Sequence, residues 1–289
     1  MTGVQMTIQA LTCSALVGLL AAVGLRIRWE EIKAALIRCR FILILAANFL
    51  VVPAVAVAAA SWFELKRETA AAMVLLAAAP FAPVVPVFAR LARADLPLAA
   101  GLTAVFPLAS VVLTPLAARG ALRMLAHTDG LQFNMLTSLV TLLATISLPL
   151  AAGVCLRHYA PGIGRRLLRP MEVISEITGA TSLAFVTVTE FGSIVNLGWR
   201  AWLVMALVSE SVLLLGWAMG GPTRGTRQVV ALGTSNRNIA LALLVAIQSF
   251  PGTPVVSAVV GNGLLLIGLG LVHVGWWRWR LAVSPQAAG

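Results

Sequence analysis

The stretch that decides the fold is Ala231-Leu232-Gly233-Thr234-Ser235-Asn236-Arg237-Asn238-Ile239-Ala240, because it places an arginine inside apolar sequence. A charged side chain at that depth in a membrane segment is costly and indicates a functional site. The small and polar residues on both sides of Arg237 predict that the helix is interrupted there. Interrupted helices occur in membranes only where protein or a cavity surrounds the freed backbone. The stretch therefore predicts a site inside a membrane protein.

The composition agrees with a membrane protein. Hydrophobic residues make up 60% of the chain and charged residues 11%, and the mean hydropathy is +0.96. A soluble domain has about 25% charged residues. The net charge of +11 does not indicate nucleic-acid binding, because the basic residues flank apolar runs and form no stripe. Cys13, Cys39 and Cys155 are scattered and odd in number, which argues against a disulfide framework or a zinc site.

Apolar runs long enough to span a bilayer, which takes about 20 residues, recur nine times. The stretch 28–38 is amphipathic and too charged to span, so we predict that it lies along the membrane surface. We expect an all-α membrane protein with a single transmembrane domain over residues 1–289, whose first apolar run is a retained helix rather than a cleaved signal peptide. The predicted segments lie roughly at 5–25, 41–62, 69–91, 96–118, 133–156, 171–194, 200–220, 226–249 and 254–277.

The basic residues predict the orientation. With the N-terminus outside, fifteen of the 21 Lys and Arg residues lie on the inner side, five lie on the outer side, and Arg237 is left in the membrane. Inner loops of membrane proteins carry the excess of Lys and Arg. We therefore expect a plasma (inner) membrane protein with its N-terminus outside and its C-terminus in the cytoplasm.

Two segments are interrupted in similar ways, about 150 residues apart. The third contains Ala79-Pro80-Phe81-Ala82-Pro83-Val84-Val85-Pro86, whose three prolines cannot form a continuous helix. The eighth contains 233–238, and each is followed by one apolar helix. The two repeats, about 5–118 and 133–277, are therefore expected to have opposite topology. Paired interrupted helices in inverted repeats indicate the central site of a transporter.

The ends of the half-helices define what the breaks can bind. Helix N-termini favour an anionic group, and freed carbonyl oxygens favour a cation. The alternative is that the prolines only kink a helix and the asparagines only join neighbouring helices.

Three stretches match one known family in spacing and order. They are Gly24-Leu25-Arg26-Ile27 with the surface helix and then Ala46-Ala47-Asn48-Phe49 and Pro53; Ala79-Pro80 through Leu91-Ala92-Arg93-Ala94-Asp95 to Thr103 and Leu113-Thr114-Pro115; and Asn236-Arg237-Asn238-Ile239-Ala240-Leu241-Ala242 with Pro254-Val255-Val256. On these residues the chain resembles the bile acid:sodium symporter family from about residue 10 to about residue 275.

The resemblance implies a fold and an activity. The fold has a core domain, in which two discontinuous helices cross, and a panel domain. This chain resembles the nine-helix form, with the third and eighth segments and their neighbours in the core and the first, fifth and sixth in the panel. The implied activity is secondary transport of a small organic anion or amphipathic metabolite by alternating access.

The sodium ligands of the family are mostly replaced. A Ser-Asn pair of the sodium-coupled members aligns with Val85 and Pro86, and a Glu and a Gln align with Gly233 and Arg237. A carboxylate is lost and a cation replaces an amide, whereas sodium needs several hard oxygen ligands. The polar remnants of such a sodium site are Asn48 and Thr103.

Our hypothesis is that the guanidinium of Arg237 occupies the place of the lost sodium ion and attracts an anionic substrate. Its donors would bond freed carbonyls and Ser235 or Asn48. The alternative, of equal weight, is that Arg237 only braces the crossover. The residues that we expect to bind substrate or to form the crossover are Asn48, Pro80, Pro83, Pro86, Thr103, Ser235, Asn236, Arg237 and Asn238.

Acidic residues inside the segments are further candidates. Glu210 lies near the middle of the seventh segment, where it would either pair with Arg237 or carry a proton, or face a polar crevice and do neither. Glu172 and Glu176 are interpreted as structural, and their expected partners are loop arginines such as Arg166 and Arg169. Glu190 is expected at the outer mouth or at the membrane interface.

Other classes of function have less support. His127 and His158 are expected in loops and His273 near the end of the last helix, so no metal cluster or catalytic motif indicates an enzyme. A channel needs a continuous polar lining, whereas the polar residues here cluster at mid-depth. We expect a small-molecule substrate and the lipid bilayer as partners, and no nucleic acid. We expect no cofactor beyond a coupling ion, for which sodium, a proton through Glu210 and uncoupled transport all remain open, as does a non-transporting membrane sensor.

Overall fold

The computed structural model describes residues 3–27, 29–125 and 133–283. This part of the chain contains helices and no β-strand, as the all-α prediction requires. Two stretches, Ala47–Val51 and Leu143–Ser147, are single π-helical turns inside longer helices. The α-helices are, in chain order, α1 (Gly3–Arg26), α2 (Trp29–Arg38), α3 (Phe41–Ala46), α4 (Val52–Trp62), α5 (Arg67–Ala77), α6 (Val85–Leu91), α7 (Leu96–Met124), α8 (Met135–Leu142), α9 (Leu148–Tyr159), α10 (Pro161–Thr189), α11 (Phe191–Val195), α12 (Trp199–Met219), α13 (Arg224–Ser235), α14 (Ile239–Ser249) and α15 (Val255–Val283).

Each of the nine predicted segments has a helical counterpart. Eight stretches among the described residues are long and apolar enough to cross a membrane. The predicted third segment is the remaining one, and it is divided into α5 and α6, each too short to span alone. The eight stretches are Gly3–Arg26, Phe41–Trp62, Leu96–Met124, Met135–Tyr159, Pro161–Thr189, Trp199–Met219, Arg224–Ser249 and Val255–Arg280.

The sixth segment begins earlier than predicted. We placed its start at residue 171, but α10 begins at Pro161 and continues through Pro170. Proline is favoured in the first helical turn, where its missing N–H is not needed. Arg166 and Arg169, predicted in a loop, therefore lie on the first turns of α10.

The amphipathic stretch between the first two segments forms α2, which has ten residues and is too short to span a membrane. Helix α2 packs against α7. Its position along the membrane surface stays a prediction.

Helices α1, α9 and α10 pack together through small residues. A Cβ added at Gly24 would overlap the carbonyl oxygen of Leu150 on α9. The hydroxyls of Thr12 on α1 and Ser182 on α10 lie 2.8 Å apart and share a hydrogen bond. Small residues allow this close backbone approach between membrane helices. These helices belong to the first, fifth and sixth segments, which the resemblance assigns to the panel.

The second group of helices surrounds α5 and α14. Every residue from 69 to 77 on α5 is buried, as are the residues from 241 to 247 on α14. Helix α15 packs against both, and α12 packs against α13. The two interrupted helices are therefore enclosed by protein, as membrane helices with freed backbone groups must be.

Candidate substrate site at the helix crossover

The first break separates α5 from α6. Pro80 and Pro83 lie in the break and Pro86 is the second residue of α6, so none of the three supplies a backbone donor. Phe81, between the first two prolines, has a φ of 54°, in the left-handed region. This conformation is costly for a residue with a Cβ, and it persists where the surrounding structure fixes it.

The second break separates Ser235, the last residue of α13, from Ile239, the first residue of α14. Asn238 caps α14, because its side-chain oxygen accepts a hydrogen bond from the backbone N–H of Leu241 at 3.0 Å. The side chain of Asn236 is buried and donates to the hydroxyl of Ser235 at 3.4 Å. Asn238 therefore satisfies the backbone of α14, and Asn236 bonds its neighbour in the break.

The two breaks cross and bond each other through the main chain. Backbone groups that a continuous helix would pair internally find their partners in the other break, which keeps buried polar groups satisfied. The crossing that the repeat predicted is therefore present. These hydrogen bonds run from Phe81 N to Gly233 O (3.3 Å), from Ala82 N to Asn236 O (3.1 Å) and from Asn238 N to Ala79 O (2.8 Å).

Arg237 is buried at this crossing, with 4% of its surface exposed. Its Nη1 donates to Oδ1 of Asn48 at 3.1 Å, and its Nη2 has no hydrogen-bond partner among the residues that the structure describes. Asn48 lies in the π-helical turn Ala47–Val51 and donates to the carbonyl of Ile44 (2.9 Å) and the hydroxyl of Thr234 (3.3 Å). In the described part of the chain, no carboxylate lies within ion-pair distance of Arg237.

A small cavity of about 20 Å³ lies beside Arg237, between α4, α5, α12 and α15. Its wall is mostly apolar and includes the polar side chains of Ser209, Ser235 and Asn262. A water molecule fits such a space, whereas a drug-sized ligand needs roughly 300 Å³ or more. In this conformation the crossover is therefore closed to an organic substrate.

A comparison with protein-family models matches residues 14–213 to the Sodium Bile acid symporter family. The match spans 200 of the 289 residues, contains Asn48, Thr103 and the first break, and ends before the second break. The chain belongs to the sodium bile acid symporter family. No curated protein matches the chain. Membership and the apolar helices together make the chain an integral membrane protein of a transporter family, with a small molecule as substrate.

At three positions that the resemblance to this symporter family assigns to sodium ligands, Val85, Pro86 and Gly233, the side chain supplies no oxygen. Val85 is fully buried, and Pro86 is the second residue of α6. Gly233 lies against the ring of Phe81, which stacks on Phe106 with 4.0 Å between the ring centroids. A Cβ added at Gly233 would overlap the Phe81 ring, so position 233 has no room for a carboxylate side chain.

The two polar remnants have different surroundings. Asn48 contacts Arg237 through its side-chain oxygen. Thr103 lies on α7, is 2% exposed, and its hydroxyl has no hydrogen-bond partner in the described part of the chain. The described cavity wall beside Arg237 does not include Thr103. Ser235, the other acceptor proposed for Arg237, instead donates to the carbonyl of Leu232 at 3.4 Å.

Of the alternatives left open for Glu210, the pairing with Arg237 is absent from the described structure. The carboxylate of Glu210 lies 3.1 Å from Nε2 of His273 on α15, and its side chain is 39% exposed. Ser209, the preceding residue, lines the cavity beside Arg237. Successive residues of an α-helix point about 100° apart, so Glu210 faces a different neighbour.

Glu172 and Glu190 have structural contacts, whereas Glu176 forms no ion pair in the described part of the chain. Glu172 pairs with Arg169, as expected, at 3.8 Å, and also with Arg26 of α1, which the sequence analysis missed. Arg166 forms no ion pair in the described part of the chain. The carboxylate of Glu190 accepts a hydrogen bond from Ser257 of α15 at 2.6 Å.

Sequence reasoning missed Ser209 and Asn262 in the cavity wall. Asn262 is a lone amide in a long apolar helix, and that pattern alone marks a candidate polar contact. The positions of all three histidines were also predicted. His158 lies within α9 rather than in a loop, His273 lies on α15, the last helix, and His127 lies outside the described residues.

Proposed function

We propose that the protein is a secondary transporter that carries a small organic anion or amphipathic metabolite by alternating access, with Arg237 as the fixed positive charge of its site. One observation carries the proposal. Arg237 is buried at the crossover, keeps one N–H group without a partner, and lines the cavity there. We infer that this donor meets the substrate.

The electrostatics of the crossover favour an anion. Arg237 has no carboxylate partner in the described residues. The N-terminus of α14, which begins two residues later, adds partial positive charge. A buried donor without a partner is costly, and a charge-assisted hydrogen bond to an anion removes that cost.

Sodium is poorly supported as the coupling ion. The side chains at Val85, Pro86 and Gly233 contain no oxygen, and the guanidinium of Arg237 supplies positive charge in the absence of an ion. Glu210 and His273, whose side chains lie 3.1 Å apart, place a carboxylate beside an imidazole between α12 and α15. We therefore propose transport that is proton-coupled or uncoupled, with no other cofactor and no enzymatic activity.

We infer that alternating access involves movement between the group of α1, α9 and α10 and the group of helices around α5 and α14. The hydrogen bond between Ser257 and Glu190 joins the end of α10 to the start of α15, and thus one group to the other. Because the cavity at Arg237 is too small for a metabolite, the groups have to move apart for substrate to enter. With the proposed orientation, N-terminus outside and C-terminus in the cytoplasm of an inner-membrane protein, this bond lies on the outer side.

A thermal-shift screen over many anions tests the proposal, because any ligand that binds the folded state raises the melting temperature. Carboxylates, sulfates and amphipathic anions are each compared with a neutral analogue. The variants are Arg237→Gln, which removes the charge, and Asn48→Asp, which keeps the guanidinium but pairs it with a carboxylate. We expect anion-specific stabilisation of the wild type and of Arg200→Gln, an exposed control, and none in the other two variants.

Two outcomes contradict the proposal. Anion-specific stabilisation that survives in both Arg237→Gln and Asn48→Asp means that Arg237 only braces the crossover. An anion that stabilises the protein but crosses no liposome membrane in its presence means that the protein is a sensor rather than a carrier.

A further inference from the structure

A groove of about 480 Å³ lies between α12 and α15, apart from the crossover cavity. Each helix contributes four residues at spacings i, i+3, i+4 and i+7, which form one helical face. We call this feature the α12–α15 groove. Its lining residues are Glu210, Leu213, Leu214 and Trp217 of α12, His273, Trp276, Trp277 and Arg280 of α15, and Arg224, the first residue of α13.

The two helices run side by side in the same direction. Glu210 contacts His273, and Trp217 contacts Trp277. The later residue of α12 thus meets the later residue of α15, as in two parallel helices. Seven residues of helix rise about 10 Å. Arg280 is seven residues after His273 on α15, so the Glu210–His273 pair lies roughly 10 Å along the helix axis from the Arg280 end of the groove.

The Arg280 end of the groove is positively charged. The guanidinium of Arg280 stacks over the ring of Trp276 at 4.5 Å, and Arg224 donates to the carbonyl of Trp277 at 3.4 Å. Neither arginine has a carboxylate partner in the described residues. Arg224 also begins α13, and a helix N-terminus favours an anionic group.

The walls of the groove are apolar and open sideways. Leu214 is 64% exposed and Trp276 is 45% exposed, and both line the groove. Leu207, Leu271 and Val272 on the same helices are also exposed, which is typical of a surface that faces lipid. An occupant of this groove therefore enters from the bilayer and carries an apolar chain.

We propose that the α12–α15 groove binds an anionic phospholipid, with the phosphate against Arg224 and Arg280 and an acyl chain against Trp217, Leu213 and Leu214. In the predicted orientation the arginines lie at the cytoplasmic interface, where basic pockets between helices bind anionic headgroups. The site is separate from the crossover and does not depend on the proposed transport substrate.

The test compares lipids added to the purified full-length protein in detergent. Native mass spectrometry counts the bound lipids, and the melting temperature reports their effect. We expect phosphatidylglycerol to bind and to raise the melting temperature more than phosphatidylcholine with the same acyl chains. This difference should be lost in Arg224→Gln/Arg280→Gln. It should persist in Arg200→Gln, a matched control because Arg200 also stacks over a tryptophan, Trp199, but outside the groove.

Three results would overturn the proposal. The first is equal stabilisation by the two lipids in the wild type, and the second is an unchanged preference in the double variant. The third is equal stabilisation by inorganic phosphate, which would show a site for a free anion rather than for a lipid. Retained binding of the lipid by the double variant in native mass spectra excludes the site even if that variant is less stable.

Discussion

Within the described structure, the charged side chain of Arg237 makes one hydrogen bond and has almost no contact with solvent. The arrangement depends on Asn48, because the amide nitrogen of Asn48 is held by the Ile44 carbonyl and the Thr234 hydroxyl, and its oxygen therefore faces the guanidinium. The site is thus the guanidinium of Arg237, with the oxygen of Asn48 as a fixed acceptor for Nη1 and with Nη2 as a donor that has no partner among the described residues.

Replacement of Asn48 by alanine should destabilise the protein. Arg237 then loses its acceptor while it stays buried, and hydrogen bonds to charged groups contribute about 1.5–3 kcal/mol. We expect a free energy of unfolding that is lower by about 2 kcal/mol and a lower melting temperature in detergent.

Thr103→Val is the matched control for Asn48→Ala. Thr103 is as deeply buried as Asn48, but its hydroxyl has no partner to lose, so a substitution of similar shape should be close to neutral. Equal melting temperatures for the two variants would argue against a stabilising bond between Asn48 and Arg237.

Some contacts between residues could be predicted from the sequence, and others could not. Asn48 was found because the resemblance aligned it with a polar ligand, and the break around Arg237 was visible from its polar neighbours. The partner of Glu210 was not predictable, since which helical face points at which neighbour depends on how each helix is rotated. His273 lies 63 positions along the chain from Glu210, and no local pattern joins them.

At the scale of the element, the crossover is built by two short breaks that serve as each other's hydrogen-bond partners. Prolines predicted the first break because they lack a donor, and the repeat predicted that the breaks would meet. The position of the Phe81 ring against Gly233 was not predictable from the sequence. The Phe81 ring occupies the space over Gly233 because the chain turns through a positive φ at Phe81, which only the folded structure shows.

Gly233→Ala should therefore destabilise the crossover. The added Cβ overlaps the Phe81 ring, which is clamped against Phe106, and overpacking of this kind costs about 1–3 kcal/mol. We expect a lower melting temperature, with partial recovery in Gly233→Ala/Phe81→Leu.

Gly268→Ala in α15 provides the control, because no atom lies within 4 Å of the added Cβ and alanine favours helix. A Gly233→Ala protein as stable as Gly268→Ala would mean that the Phe81 ring does not fill this space.

For the whole molecule, nine helical segments were predictable because a bilayer requires long apolar runs, and eight of them, among the described residues, are long and apolar enough to cross a membrane. The grouping of α1, α9 and α10 against the remaining helices came from the family resemblance rather than from periodicity. The early start of α10 was missed because the segments were predicted from apolar runs, whereas the first ten residues of α10 include Arg165, Arg166 and Arg169. For the whole molecule we propose a carrier in which the guanidinium of Arg237 supplies the charge that sodium supplies in sodium-coupled relatives.

The first measurement to make is the melting temperature of the purified protein in sodium chloride, compared with equimolar choline chloride. It tests whether the guanidinium of Arg237 replaces a bound sodium ion. A sodium site occupied at 100 times its dissociation constant would contribute about 2.7 kcal/mol and give a measurable rise. We predict identical melting temperatures for the wild type in the two salts. A sodium response that appears only in Arg237→Gln would support the guanidinium as the resident cation, whereas a sodium-specific rise in the wild type would contradict the account.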